Sequence, residues 1–433
     1  MTPAARLAAA IEVFGNIESE RRPAADALKS WGMAHRFAGS GDRAAIAGLV
    51  YDALRRRASS AFLMGADTPR AILIGMLKRE RGLGSEAIAK LASGERYAPE
   101  ALSDEERRQL DAADVVGAPA YVVGDYPEWL EPHFARAFGN ARAEEGTALS
   151  SRAPLDLRVN TIKADRDQAA EMLVHLKPGL ARWSPWGLRI HLAADAKSPA
   201  IHAEPAFLKG MIELQDEGSQ LAALFSGAKA GEQVVDLCAG AGGKTLALAA
   251  MMQNKGQIFA TDDDKRRLAP IHERLKRSGA RNVQVRTPKS VGGELADLER
   301  RCDLVLIDAP CTGTGAWRRN PDAKWRMRPG ALGQRVKEQA DILDRAIGLL
   351  KPGGRIAYIT CSVLEEENGA QVRAFLARHA EFSVVPPAEM VEALGERAFM
   401  FSKAARFSDE GVSMTPRTTE TDGFFVSVLR YGA

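Results

Sequence analysis

The chain has 433 residues, 45% of them apolar and 27% charged, with a formal net charge of +3. That length exceeds what one hydrophobic core holds, so two or three domains are expected, and the composition is that of a soluble globular protein. No apolar run approaches the roughly 20 residues of a membrane span, and the weakly basic balance permits nucleic-acid binding without requiring it.

The start, from Met1 to Gly15, carries Glu12 inside its apolar stretch and reads as a helix and not as a signal peptide, which makes the cytoplasm the expected compartment. From Met1 to about Asn140 helical periodicity continues, punctuated by Ser40-Gly41-Asp42 before Arg43 to Arg57 and by the capping box Ser103-x-x-Glu106. This part is expected to be all-helical. Its basic clusters, Arg55-Arg56-Arg57 and Lys78-Arg79-Glu80-Arg81, fit either solvated helix ends or an RNA-contacting face. A mixed segment comes next, with Leu155 to Val159 alternating like a strand, Asp165 to Leu176 like a helix, and Leu188 to Leu192 like a second strand. From about Gly218 short apolar strands alternate with amphipathic helices, the pattern of a doubly wound, mostly parallel α/β sheet. The expected plan is a helical domain over 1–140, a small α+β linker domain over 141–217, and a Rossmann-like α/β domain over 218–433.

Within the last domain, the strand Gln233 to Leu237 carries Asp236 and runs into Cys238-Ala239-Gly240-Ala241-Gly242-Gly243-Lys244-Thr245, after which a helix resumes at Leu246. Glycines suit such a turn because the backbone must bend sharply and approach a ligand closely. A P-loop would need its first glycine at position 238, which is cysteine, so ATP binding is set aside. The next strand, Gln257 to Thr261, ends in Asp262-Asp263-Asp264, and Asp262 is placed to accept hydrogen bonds from a ribose diol. Dinucleotide dehydrogenases share that logic, but the glycines depart from G-x-G-x-x-G, which favours a methyltransferase.

Of the four cysteines, Cys302 opens a buried strand and is read as a core thiol; no C-x-x-C pair or H-E-x-x-H is present, so no metal is expected. Cys302 to Asp308 runs into Ala309-Pro310-Cys311-Thr312-Gly313-Thr314-Gly315. Later, Lys351-Pro352-Gly353-Gly354 ends a helix, and the strand Arg355 to Ile359 ends in Thr360-Cys361-Ser362. Cys311 and Cys361 both come just after strand ends, where open α/β sheets bind ligands, so Gly240, Asp262, Asp308, Cys311 and Cys361 are expected to share one crevice. Thiols there have a chemical use. Carbon 5 of cytosine is a poor nucleophile, but thiolate addition at C6 turns the ring into an enamine that can attack a sulfonium methyl, while Asp308 steadies the charge developing toward N3. Methylation of an exocyclic amine would need neither thiol.

These motifs closely resemble the bacterial Sun/RsmB branch of the RNA 5-methylcytosine methyltransferases. Further marks are Leu157-Arg158-Val159-Asn160-Thr161, Gln215-Asp216-x-x-Ser219-Gln220 and Asp422-Gly423-Phe424-Phe425. The resemblance implies S-adenosylmethionine as cofactor, held by Cys238, Ala239, Gly240, Ala241, Gly242, Gly243, Lys244, Asp262 and Asp308. It also implies Cys361 as nucleophile, Cys311 as the thiol that assists product release, Lys244 and Asp308 as further catalytic residues, and a NusB-like RNA-binding domain at the N-terminus. A monomer acting on small-subunit ribosomal RNA is implied by the same likeness. Two departures stand out: the family's Ala-Ala-Pro-Gly-Gly turn is Ala239-Gly240-Ala241-Gly242-Gly243 here, and Arg286-Thr287-Pro288-Lys289 replaces an aspartate usually offered to adenine.

Beside the Pro-Cys loop, cations interleave with tryptophans from Trp317 to Arg328. Arg318, Arg319, Lys324 and Arg326 are the expected RNA contacts, against the alternative that the tryptophans anchor the loop to a core. Two rival functions remain: a DNA cytosine-C5 methyltransferase, in which Cys311 would be the nucleophile, and a non-catalytic RNA-binding assembly factor.

Overall fold

The computed structural model describes residues 1–112, 115–192, 198–288 and 293–432. By its contacts the chain divides into two units, Met1–Arg152 with Trp317–Arg328, and Ala153–Ala316 with Pro329–Ala433.

The first unit is helical, as its periodicity predicts. Thr2 caps the helix Pro3–Glu20, its hydroxyl accepting from the Ala5 amide, and proline takes the first helical position, where no amide hydrogen is needed. The Ser103–Glu106 capping box forms in both directions, at 2.9 and 3.1 Å, and opens the helix Asp104–Ala112. Leu7, Phe14, Ile46, Val50, Ile72 and Leu73 fill the core. The helical unit runs past residue 140 because the helix Arg142–Leu149 belongs to it, burying Leu149. Both basic clusters are engaged internally: Arg55 pairs with Asp52, Arg56 with Glu80, Arg57 with Glu18 and Asp67, and Arg81 with Asp52.

The same unit absorbs residues 317–328, which leave the α/β unit at Ala316 and rejoin it at Pro329. Trp317 is buried and stacks on Phe134, and Trp325 donates its indole hydrogen to Leu54 O at 2.6 Å. Lys324 is fully buried, its Nζ donating to Asp125 O at 2.6 Å, Ser150 Oγ at 2.8 Å and Arg55 O at 3.1 Å. This corrects the RNA-facing expectation for Lys324 and Arg318. Lys324 is committed to internal acceptors, and Arg318 is buried with its carbonyl accepting from Arg55. Arg319 is half-buried, and Arg326 is exposed and paired with Asp322.

The second unit holds two sheets. Strands β1 (Leu155–Val159), β2 (Gly179–Leu180), β3 (Gly187–Ile190) and β4 (Ile212–Leu214) form a small antiparallel sheet in the order β2-β3-β1-β4. A buried charge cluster joins this sheet to the helix Glu217–Phe225: Arg189 on β3 meets Asp156 on β1 at 2.7 Å and Glu217 at 3.1 Å. Burial of these charges is tolerable only because each is paired and hydrogen-bonded. Glu217 also accepts from the Trp183 and Ser184 amides.

The larger sheet takes β5 (Gln233–Asp236), β6 (Gln257–Ala260), β7 (Val283–Val285), β8 (Cys302–Asp308), β9 (Leu350–Thr360), β10 (Phe382–Val384), β11 (Arg406–Ser408), β12 (Gly411–Met414) and β13 (Phe424–Tyr431). Its order is β11-β12-β13-β9-β8-β5-β6-β7, with β10 on β13; β5 to β9 are parallel and the rest antiparallel, a mixed α/β sheet. The chain winds outward from β5 through β6 to β7, then returns to lay β8 on the other side of β5. That reversal opens a crevice at the carboxyl ends of β5 and β8. Strand β9 begins at Leu350, earlier than the predicted Arg355, with Lys351-Pro352-Gly353-Gly354 inside it and a register irregularity opposite Cys302–Leu304. Among the described residues no helix is long and apolar enough to cross a membrane.

Candidate active site

Four strand ends deliver the predicted residues to one edge. After β5 the chain makes the turn 238–243 and enters the helix Gly243–Met251. Gly242 has φ +85°, and a Cβ there would lie 2.5 Å from the Ile271 side chain, so only glycine fits. The helix N-terminus just beyond presents its first-turn amides, a favourable setting for a negatively charged group. Asp262, just past β6, closes on this turn: its Oδ2 accepts from the Gly240 amide at 2.9 Å and its Oδ1 from the Asp264 amide at 3.0 Å. Turn and carboxylate are therefore one structure.

Asp236 lies beneath the turn. Its Oδ2 accepts from Thr245 Oγ1 at 2.7 Å, and burial pushes its pKa up to about 7. Cys238 is held well above the usual thiol range by burial and the neighbouring Asp236, Asp308 and Asp262 carboxylates, so it stays a thiol. Cys302 sits in the core as expected, fully buried, and burial pushes its pKa up to about 11.

At the end of β8, Asp308 Oδ2 accepts from Lys244 Nζ at 2.7 Å, and the ammonium also lies 5.2 Å from the Phe424 ring centre. Cys311 Sγ and Cys361 Sγ are 3.4 Å apart, and the Cys311 thiol is pushed up by its hydrogen bond to Cys361 and by burial. The two thiol-bearing segments are laced together. Gly315 N donates to Cys361 O at 2.9 Å, Val363 N to Thr314 Oγ1 at 2.9 Å, and the Thr314 and Ser362 hydroxyls share a hydrogen bond at 3.1 Å. The Asp422-Gly423-Phe424 motif belongs to the same assembly. Gly423 N donates to Gly315 O at 2.9 Å, and a Cβ on Gly315 would fall 2.0 Å from Gly423 O. Asp422 N donates to Asp216, which draws in the Gln215-Asp216 motif.

Sequence reasoning named the two cysteines, Lys244, Asp308, Asp262 and the turn. It missed Thr312, Gln339, Ser362, Glu367 and Asn368, which hold the two thiol loops. Beyond β7, Arg286 pairs with Asp297 at 2.8 Å, while Lys289 lies outside the described residues. Among the described residues no group of histidine, cysteine and carboxylate side chains could hold a metal ion.

A tight turn with positive φ at Gly240 and Gly242, a helix N-terminus and an acid at the second strand tip fit a nucleoside-bearing cofactor. Fold and site together resemble those of S-adenosylmethionine-dependent methyltransferases. Residues 224–430 match the family described as 16S rRNA methyltransferase RsmB/F, so this part of the chain is similar to that family. Ribosomal RNA small subunit methyltransferase B of Klebsiella pneumoniae is 34% identical over 306 residues, 70% of this chain and 65% of the relative. Its namesake from Escherichia coli is 32% identical over 70% of this chain and 66% of its own length. The chain thus spans about 65% of the length of these curated relatives. The solved structure of the protein PH0851 aligns over 99% of both chains, with a TM-score of 0.70 and 25% identity. A methyltransferase homologue from Pyrococcus horikoshii aligns over 72% of this chain and 97% of its own, with a TM-score of 0.58 and 27% identity.

Proposed function

We propose that this chain methylates carbon 5 of a cytosine in structured RNA, with small-subunit ribosomal RNA as substrate, through a covalent Cys361–C6 adduct. The observation that carries the reading is the pair of thiols 3.4 Å apart beside the Lys244–Asp308 ion pair. Two thiols suit a reaction in which one adds and another helps it leave; transfer to nitrogen or oxygen would use neither. The names of the curated relatives supply the ribosomal substrate.

S-adenosylmethionine supplies an electrophilic methyl group, with Gly240 to Gly243 and Asp262 as its holders. Cys361, as thiolate, forms the bond to C6, and the displaced π pair moves to C5, which bonds to the methyl carbon as the methyl–sulfur bond breaks and its pair stays on sulfur, leaving S-adenosylhomocysteine. Lys244 and Asp308, sharing a proton, stabilise the charge that moves toward N3 as the thiolate adds. Once Cys361 is bonded to C6 it no longer holds Cys311 protonated, and Cys311, its own proton released to solvent, takes the C5 proton as thiolate. The C–H pair re-forms the C5–C6 double bond, and the C6–S pair returns to Cys361.

On this reading the helical unit, Met1–Arg152 with Trp317–Arg328, acts as a NusB-like RNA-binding domain, residues 153–217 act as linker, and the rest of the second unit acts as catalytic domain of a monomer. Arg319 and Arg326 remain as RNA contacts of the inserted loop. Trapping on RNA carrying 5-fluorocytosine tests the reading: wild type forms a denaturant-resistant adduct that Cys361→Ala loses and Cys311→Ala keeps. The reverse pattern points to the nucleophile choice of DNA enzymes. Absence of methyl transfer to any RNA points to an assembly factor without catalysis.

A further inference from the structure

Glu367 is a fully buried carboxylate to which the proposed reaction gives no role. It ends the short turn Glu365–Glu367 that comes after the Thr360-Cys361-Ser362 segment. Its Oε1 accepts from the Thr312 amide at 2.8 Å and from Gln339 Nε2 at 3.0 Å, and its Oε2 accepts from Thr312 Oγ1 at 2.5 Å. Gln339 Nε2 also donates to Pro310 O at 3.0 Å. The residues on both sides of Cys311 are thus held by one carboxylate and the amide it orients.

A buried carboxylate is costly unless its oxygens are satisfied, and an apolar side chain would serve if filling space were the only need. All three of these hydrogen bonds converge on the turn that carries the second thiol, directly or through Gln339. The turn containing Glu367 is itself anchored to β9, because Tyr358 donates its hydroxyl to Glu367 O at 2.7 Å. Neighbouring Asn368 accepts from Thr360 Oγ1 at 2.6 Å and donates to Ser362 O.

We propose that Glu367 is the positioning residue for Cys311, fixing the Pro310–Thr312 turn so that the second thiol stays within reach of Cys361 and of a base bonded to it. The role of Cys311 in this inference rests on the proposed cytosine chemistry. The groups that face Cys311 are Cys361 past the end of β9, Tyr358 within β9, and Glu367 beyond both. Tyr358 is itself held protonated by burial, so the charges that act on the thiol are those of Cys361 and Glu367. Glu367 thereby contributes twice. It sets the position of the sulfur, and its charge disfavours a Cys311 thiolate that would compete with Cys361 for C6 while making that thiolate a stronger base for the C5 proton.

The test uses the full chain with Glu367→Gln, and Gln339→Leu as a second variant that leaves the carboxylate in place. Without RNA, the pH profile of iodoacetamide alkylation at Cys311, read by mass spectrometry, is expected to move to lower pH in Glu367→Gln. Labelling at neutral pH is expected to be faster than in wild type by about two- to threefold. With substrate RNA, both variants are expected to turn over at least about tenfold more slowly while the Cys361 adduct still forms and accumulates, as in Cys311→Ala, a loss of the size of one proton-transfer contribution. An unmoved alkylation profile, or adduct formation that falls in step with turnover, overturns the proposal. Failure of the wild type itself to form an adduct would instead overturn the proposed chemistry, and the alkylation profile would still decide the role of Glu367.

Discussion

Lys244 Nζ lies 2.7 Å from Asp308 Oδ2, so the first turn of the helix after the glycine loop is tied to the last residue of β8. Lys244 is buried while Asp308 keeps about a third of its side chain accessible, which leaves the carboxylate facing the crevice. On the proposed reading the two act as one hydrogen-bonded unit and should not contribute independently. Asp308→Asn and Lys244→Met are each expected to lower kcat by roughly 10²–10⁴-fold, and the double variant to lose far less than the product of the two. Single-turnover methyl transfer to RNA measures this, and additive losses would show that they act separately.

Asp236 gives a pH dependence with a definite sign. Burial raises its folded-state pKa from 3.8 to about 7. Between those values the folded chain retains a proton that the unfolded chain has lost. Its stabilising contribution is therefore complete below about pH 4 and is lost as pH rises through 7, an order of magnitude of roughly 4 kcal/mol. In Asp236→Asn the amide carbonyl still accepts from Thr245, and the variant is expected to hold its stability between pH 5 and 8 where wild type declines. Thermal melts across that range check it.

Lys324 and Arg326 lie two positions apart in the inserted loop and should behave oppositely. Lys324→Met leaves the Asp125 and Arg55 carbonyls and the Ser150 hydroxyl without their donor and removes one of two cations acting on buried Asp125, the other being Arg56 at 3.5 Å. A loss of about 1–3 kcal/mol is expected in the helical unit, the cost of buried acceptors left unsatisfied, with little change in the salt dependence of RNA binding. Exposed Arg326 can reach phosphate, so Arg326→Ala should reduce the slope of log K against log salt by about 1 and leave stability nearly unchanged. RNA titrations at several salt concentrations, with melting curves beside them, separate the two.

The crevice was legible in the sequence. Strands β5, β6, β8 and β9 are apolar runs that end in or beside Asp236, Asp262, Asp308 and Cys361, and parallel topology sends all four ends to one edge. The loop from Trp317 to Arg328 was not. Interleaved cations and tryptophans look like a nucleic-acid surface because buried lysine is rare, and the acceptors of Lys324 are distant in sequence. Glu367 was hidden in the same way. Glu365-Glu366-Glu367 before the helix Gly369–Arg378 reads as acid favoured at a helix N-terminus, and nothing local shows that the third glutamate turns inward to Thr312.

Asp262 combines two tasks that substitution can separate. One oxygen holds the Gly240 amide at 2.9 Å and also meets Arg267 at 3.3 Å; the other holds the Asp264 amide. Asp262→Ala removes both the proposed ribose acceptor and the brace of the turn, and S-adenosylhomocysteine binding is expected to weaken by about 10–100-fold, the scale of one or two charge-assisted hydrogen bonds. Asp262→Asn keeps an acceptor for Gly240 and should lose less. Arg267 is largely exposed, and pairs of that kind contribute at most about 1 kcal/mol, so Arg267→Ala is expected to change affinity by no more than about fivefold. Calorimetric titration of the three variants tests the assignment: equal losses in Asp262→Ala and Arg267→Ala would move the binding role from the carboxylate to the cation.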